Sequence, residues 1–211
     1  MAGTYVDMQN RIADELIGRT DLLPQIKLAI LSAIQHHEVE EFWFYEGQQA
    51  ATVLAATGGG FQGSIALPAG TISVESLQLT YSGRPRTLPC YDWNFFLDMG
   101  GTDPKIKGLP FAYANYEDAL WFLPIPDQAY PLTLTGVFRP AAPVNDTDTS
   151  GWFTFGEELI RSRAKWDLFQ NVLHDPENAA LSKAAENDAL SNLRGRSTSK
   201  VATGFVRPTR F

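Results

Sequence analysis

The sequence lacks the features that mark a secreted, disulfide-bonded or membrane-spanning protein. Cys90 is the only cysteine among 211 residues, so no disulfide can form within the chain. No stretch approaches the roughly 20 apolar residues that a membrane-spanning helix requires, which predicts no membrane partner. No basic segment followed by an apolar run marks a signal peptide at the N-terminus. We therefore expect a protein that is made in the cytosol and folds without covalent cross-links.

One end of the sequence lacks acids. The chain has 24 acidic and 17 basic residues and a formal net charge of -7. From Arg194 to Phe211, however, there is no acid, and there are five cations: Arg194, Arg196, Lys200, Arg207 and Arg210. The acidic body repels nucleic acid, so broad affinity for DNA is not expected. The basic end indicates a segment made for a partner surface.

The basic end also carries the apolar residues Val201, Phe205, Val206 and Phe211. Cations interspersed with apolar anchors suit docking into an acidic groove of a protein partner, which is the interpretation we favour. Contact with DNA phosphates and a solvated tail without a partner are the two alternatives. Low complexity and the lack of an apolar period predict that about the last fifteen residues are disordered until they bind.

Apolar residues with helical spacing occupy both ends of the chain. Thr4 is the predicted N-cap of a first helix, and Asp21 is the predicted N-cap of a second. A third helix is predicted over residues 156–174. A fourth is predicted to begin at Asp175, followed by a proline in the first turn, and to end near Arg194.

The middle of the chain has the pattern of strands. Residues 130–138 alternate between two faces, and the alternation of residues 71–81 breaks near Glu75–Ser76, which predicts a β-bulge. Residues 82–85 predict a turn, and residues 91–99 a short helix. The fold class is therefore α+β. We predict a stem of two N-terminal helices (1–41) and two C-terminal helices (151–194), an inserted, mainly antiparallel β domain (42–140), and an extended basic tail (195–211).

No arrangement of residues in the sequence predicts catalysis. His36 and His37 are adjacent, and neighbours on a helix point about 100° apart, so the two cannot chelate one metal from a single face. Gly58–Gly60 is followed by neither a Lys-Ser/Thr pair nor a helix, which excludes a phosphate-binding loop. Cys90 has no evident acid–base partner. We expect no catalytic, cofactor-binding or metal-binding residue, and no cofactor.

The order of segments and four local sequences resemble the head-to-tail adaptor family of tailed bacteriophages, which includes tail tubular protein A. Together the four span nearly the whole chain. They are Thr4–Gln9 with Arg11–Leu16, Glu40–Phe44, Gly151–Phe153 with Leu159–Arg161 and Arg163–Ala164, and Gly204–Pro208. None is a catalytic signature, so the resemblance depends on pattern and order.

The resemblance implies a structural role in the neck of the virion, between capsid and tail. Proteins of this family sit below the portal protein as a dodecameric ring, extend the DNA channel and give the tail its platform. The implied partners are the portal protein, tail or nozzle proteins, copies of the chain itself, and double-stranded DNA that passes without specific binding. The C-terminal extension would reach the portal.

A ring of identical subunits needs two different complementary surfaces on each subunit. The acids Glu38, Glu40 and Glu41 crowd the end of the second helix, where negative charge opposes the helix dipole. The third helix carries Arg161, Arg163 and Lys165 on its polar face. We expect these acids to contact these cations of a neighbouring subunit.

The second functional hypothesis is a soluble, β-rich binding module of a phage tail that recognises a carbohydrate or a cell surface. Trp43, Trp93 and Trp121 could line a sugar-binding platform. An enzyme ranks third, because no nucleophile–base pair or metal constellation is present.

Overall fold

The computed structural model describes residues 3–53 and 63–202. In chain order, the described residues form α1 (Tyr5–Glu15), α2 (Leu23–His37), β1 (Glu46–Val53), β2 (Ser64–Ala66), β3 (Thr71–Tyr81), β4 (Arg84–Leu88), α3 (Trp93–Asp98), β5 (Lys107–Gly108), β6 (Ala112–Tyr116), β7 (Ala119–Leu123), β8 (Ile125–Pro126), β9 (Tyr130–Phe138), α4 (Gly151–Thr154), α5 (Glu157–Asp167) and α6 (Pro176–Ala202). Short 3-10 turns cover Thr20–Leu22 and Trp43–Tyr45, and a π-helical turn covers Leu168–Val172. The predicted α+β class is confirmed.

The chain divides into two compact units. The helical unit comprises residues 1–45 and 140–211, and the β unit comprises residues 46–139. Five of the six described helices belong to the helical unit, and all nine described strands belong to the β unit. The β unit is therefore a continuous segment that interrupts the helical unit in sequence.

The first helix begins where its sequence predicts. The backbone N–H of Asp7 donates to Oγ1 of Thr4 (3.2 Å), and the backbone N–H of Thr4 donates to the Asp7 carboxylate (2.9 Å). This reciprocal pair is a capping box. The prediction that Asp21 caps α2 is wrong, because Asp21 lies within the 3-10 turn and binds Arg19 instead (2.8 Å).

The last helix begins as predicted but is longer. Oδ1 of Asp175 accepts a hydrogen bond from the backbone N–H of Asn178 (3.1 Å), as an N-cap does. The prediction that the helix ends near Arg194 and that an extended tail begins at residue 195 is wrong for residues 195–202, which are helical. A contact from Trp43, whose backbone N–H donates to Oγ of Ser197 (3.3 Å), holds this last part against the unit. Residues 203–211 of the predicted tail lie outside the described residues.

Buried isoleucines and aromatic rings form the core of the helical unit. Ile12, Ile26, Ile30 and Ile34 line the facing sides of α1 and α2 and are almost wholly buried. Phe42, Phe44 and Tyr45 meet Trp152 edge-to-face, with ring centroids 5.3–5.8 Å apart. These aromatic residues therefore belong to the core of the helical unit, and the first strand begins only at Glu46.

Two antiparallel sheets and one short parallel pair make up the β unit. The four-stranded sheet has the order β1-β9-β3-β4, the three-stranded sheet has the order β2-β7-β6, and β5 pairs with β8. Leucines of β3 and β9 pack with Leu120 and Phe122 of β7 in one buried cluster. Burial alternates along β9 as its sequence predicts, since one face covers this core.

The irregularities of β3 also follow the sequence. The register between β3 and β9 shifts between Val74 and Ser76, which confirms the predicted bulge. Close backbone approach accompanies this distortion: a Cβ on Gly136 would lie 2.2 Å from the carbonyl oxygen of Ser73. The predicted turn between β3 and β4 is formed by Ser82 and Gly83, both at positive φ (50° and 73°).

Candidate functional site

Two of the three cations predicted for subunit contacts bind one acid of the same chain. Nη1 of Arg161 lies 3.0 Å from Oε1 of Glu15, and Nζ of Lys165 lies 2.6 Å from Oε2 of the same residue. The side chains of Arg161 and Lys165 are 28% and 22% exposed. These bonds connect α1 to α5.

The third cation, Arg163, contacts a buried acid. Glu186 on α6 is 2% exposed, and its carboxylate lies 3.6 Å from Nη1 of Arg163 and 2.9 Å from Nζ of Lys183. Both cations also lie over the ring of Trp166, at 4.2 Å and 5.6 Å from its centroid. We call His37, Arg163, Lys183 and Glu186 the Glu186 cluster; it joins α2, α5 and α6.

His37 contributes an uncharged imidazole to this cluster. Its Nε2 lies 3.3 Å from Oε1 of Glu186, and it makes no hydrogen bond of suitable geometry. Burial lowers the pKa of His37 to about 4, against the opposing attraction of Glu186. Burial, and then the charge of Arg163, also lower the pKa of His36. Both imidazoles are therefore neutral near pH 7.

The acids at the end of α2 differ in their surroundings. Glu40 accepts two hydrogen bonds from the guanidinium of Arg194 on α6 (2.9 and 2.5 Å), and these bonds lower the pKa of Glu40. Glu41 is exposed, and Glu38 is half-buried. The predicted contact of these acids with a neighbouring subunit stays a prediction. If it forms, Glu41 is the acid most accessible to it.

The predicted portal-binding residues lie mostly at or beyond the end of α6. Arg194 and Arg196 are on the described helix, where Arg194 already binds Glu40. Lys200 falls in the last turn of the helix. The remaining predicted residues, Phe205, Val206, Arg207, Arg210 and Phe211, lie outside the described residues.

The three tryptophans of the sugar-platform hypothesis belong to different units of the chain. Trp43 belongs to the helical unit and packs against Phe155 (4.5 Å between ring centroids). Trp93 and Trp121 belong to the β unit, where Trp93 stacks on Tyr116 at 4.3 Å and 3° and on Phe96 at 5.5 Å. The Trp93 indole is thus already packed against two rings of its own unit.

An open groove of about 580 Å³ lies in the helical unit between the end of α1 and the start of α6. Its apolar lining consists of Leu16, Ile17, Phe169 and Leu173. Ile17 is 94% exposed at a φ of 63°, a strained conformation for a β-branched residue. The described lining contains no Ser, Cys or His, so the groove has no nucleophile–base pair.

Sequence reasoning missed two acids that organise the helical unit, Glu15 and Glu186. Glu15 is at the end of α1, and Glu186 is in a helix rich in alanine, where an acid ordinarily faces solvent. The structure also brings Glu186 to His36 and His37, so that one ligand atom of each lies within 4.8 Å of the others. No local signal in the sequence indicates these partners, because Glu186 lies on another helix.

The fold and its charged residues define a structural class: an α+β chain whose helical unit is interrupted by a β insertion and whose basic C-terminal end begins within a long helix. Comparison with family models then identifies the family within this class. The model of the SU10 adaptor protein matches residues 3–209, and the chain belongs to this family of phage head-to-tail adaptors. No curated protein matches the sequence. None of the described helices is long and apolar enough to cross a bilayer.

Proposed function

We propose that this chain is a non-enzymatic subunit of an adaptor ring that docks on the portal protein, extends the DNA channel and carries the tail. The family match over residues 3–209 carries this proposal, because it spans both units and the basic end. The ring we propose is dodecameric, stands in the neck of the virion, and binds tail or nozzle proteins on its other side.

The basic end is the proposed portal contact. Its positive charge is concentrated in a chain whose net charge is -7, and the acid nearest to it in sequence is Asp188. The residues proposed to bind the portal are Arg194, Arg196, Lys200, Phe205, Val206, Arg207, Arg210 and Phe211. Of these, Arg194 also binds Glu40 within the helical unit. Apolar anchors among cations give such a segment both orientation and attraction to an acidic groove.

The proposed contact between subunits is head-to-tail, with the acids after α2 meeting the cation-bearing side of α5 on the neighbour. Its first test is Glu41→Lys, since Glu41 is exposed and its replacement leaves the Glu40–Arg194 pair intact. Reduced ring assembly on portal particles is the expected result. Assembly equal to that of the parent chain would remove this surface from the proposal.

DNA should pass the ring without being bound specifically. The overall negative charge disfavours contact with phosphates, and an acidic wall lets DNA slide. Fluorescence anisotropy of labelled double-stranded DNA at physiological salt should show no saturable binding to the chain.

The decisive experiment is co-sedimentation of the purified chain with the portal protein of the same phage, followed by negative-stain imaging of the pellet. Saturable binding that adds a ring at one end of the portal supports the proposal. No association across a range of salt concentrations would refute it.

A truncation then tests whether the C-terminal residues make the portal contact. Deletion of residues 203–211 leaves the described part of α6 in place, including buried Leu193 and the Arg194–Glu40 pair. We expect it to abolish portal binding while leaving the circular dichroism spectrum unchanged. The matched control is Arg207→Lys with Arg210→Lys, which keeps the charge and should retain most of the binding.

A further inference from the structure

The two adjacent histidines at the end of α2 converge on Glu186. Their rings meet edge-to-face with centroids 4.8 Å apart, although helical neighbours ordinarily diverge. One ligand atom each of His36, His37 and Glu186 lies within 4.8 Å of the others. His37 and Glu186 are buried, whereas His36 is exposed. The group is thus a half-open cluster of potential metal ligands.

We propose that His36, His37 and Glu186 form a binding site for a first-row transition-metal dication such as Zn²⁺, which would fasten the end of α2 to α6. This inference is independent of the proposed function. Two imidazole nitrogens and one carboxylate favour Zn²⁺, Co²⁺, Ni²⁺ or Cu²⁺ over Mg²⁺ and Ca²⁺, which prefer oxygen ligands.

The geometry of the buried pair fits such an ion. Bonds of about 2.0–2.2 Å in a tetrahedral site place neighbouring ligand atoms about 3.4 Å apart. Nε2 of His37 lies 3.3 Å from Oε1 of Glu186 and makes no hydrogen bond, so an ion that binds it displaces no existing partner. Because His36 is exposed, its ring can rotate to complete three protein ligands, and solvent water supplies the fourth.

Two cations next to Glu186 set the strength of this site. Nζ of Lys183 lies 2.9 Å from Oε2, and Nη1 of Arg163 lies 3.6 Å from Oε1. Their charges oppose a dication, so we expect micromolar binding, well below the affinity of a structural zinc site. Lys183 is 40% exposed, so its side chain can move into solvent while the metal takes Oε1.

The test uses the full-length, untagged chain, stripped with a chelator, in a Cys90→Ser background. Cys90 is an exposed thiol and would otherwise bind metal by itself. Titration with Co²⁺, followed by its visible absorption, and with Zn²⁺ by calorimetry should each show one equivalent bound. Added Zn²⁺ should also raise the melting temperature of the helical signal.

Three variants distinguish this site from adventitious binding. His36→Ala changes an exposed ligand and should weaken binding about tenfold or more. Lys183→Gln removes a nearby positive charge and should tighten binding about fivefold. His174→Asn, which changes the remaining histidine of the chain, should leave affinity unchanged. Absence of saturable binding, or equal affinity of the His36 and His174 variants with both folded, overturns the proposal.

Discussion

Different kinds of interaction stabilise the helical unit and the β unit, each within itself. Every ion pair between described residues for which the structure gives a distance lies in the helical unit, where cations of α5 and α6 bind acids on other helices or on the turn after α2. In the β unit, Arg84 and Arg86 lie exposed on β4, and buried leucines and aromatic rings form the core. Helices satisfy their backbone groups internally, so their mutual position depends on side chains, whereas strands are joined by the backbone ladder itself.

Loss of the buried acid should have the largest effect on the helical unit. Glu186→Gln keeps the side-chain shape but leaves Arg163, only 17% exposed, without its compensating charge. We expect the free energy of unfolding to fall by about 3 kcal/mol. Urea unfolding followed by circular dichroism at the helical band measures this. Asp188→Asn, an exposed acid on the same helix, is the control and should change stability by less than about 0.5 kcal/mol.

Acidification should weaken the helical unit through His37. Its pKa is about 4 in the folded chain and near 6.5 when exposed, so the unfolded state binds more protons between these values. Stability is therefore fully present above pH 6.5 and is lost as the pH falls towards 4, by up to about 3 kcal/mol. The charged and titratable groups facing His37 are Glu186, His36, Arg163 and Glu40.

Unfolding curves at a series of pH values test this dependence, and His37→Gln should flatten it between pH 6.5 and 4. His174→Asn is the matched control and should keep the slope of the parent. An unchanged slope in the His37 variant would mean that carboxylates alone cause the acid sensitivity.

The stability of the β unit should depend on the spacing of its backbones and not on charge. Gly136→Ala places a methyl group 2.2 Å from the Ser73 carbonyl oxygen, which a rigid strand cannot avoid. We expect a loss of about 2 kcal/mol, confined to the β unit. Gly47→Ala is the control, because Gly47 lies directly opposite Gly136 in the sheet but its Cβ would meet only Phe138 at 3.8 Å. Hydrogen exchange resolved by segment should show faster exchange in β3 and β9 for the first variant alone.

The smallest effect is expected for the exposed pair that holds the end of α6. Arg194→Ala removes both hydrogen bonds to Glu40, but the arginine side chain is 60% exposed. The melting temperature should fall by at most about 2 °C, and less at high salt. Arg86→Ala on β4 is the matched control and should leave the melting temperature unchanged. A larger fall for Arg194→Ala would show that the pair also orders the last turns of α6.

The predictions that the structure confirms depend on local signals in the sequence. The Thr4 and Asp175 caps, the alternation of β9 and the bulge of β3 depend on residues a few positions apart, and all are observed. The end of α6 was predicted wrongly, and the role of Glu186 was missed, for a different reason. Trp43 and His37, which contact that helix, are distant in sequence, and no local pattern reports such partners.

The register of β1 and β9 has an evolutionary consequence. Glu46, the first residue of the β unit, pairs directly with Val137, two residues before its end. Opposite residues of antiparallel strands have Cα atoms only about 5 Å apart. The two ends of the insertion, where the chain connects to the helical unit, therefore lie side by side. A few glycines would bridge that gap. Recombination could therefore exchange this module for another while the helical unit of the adaptor stays as it is.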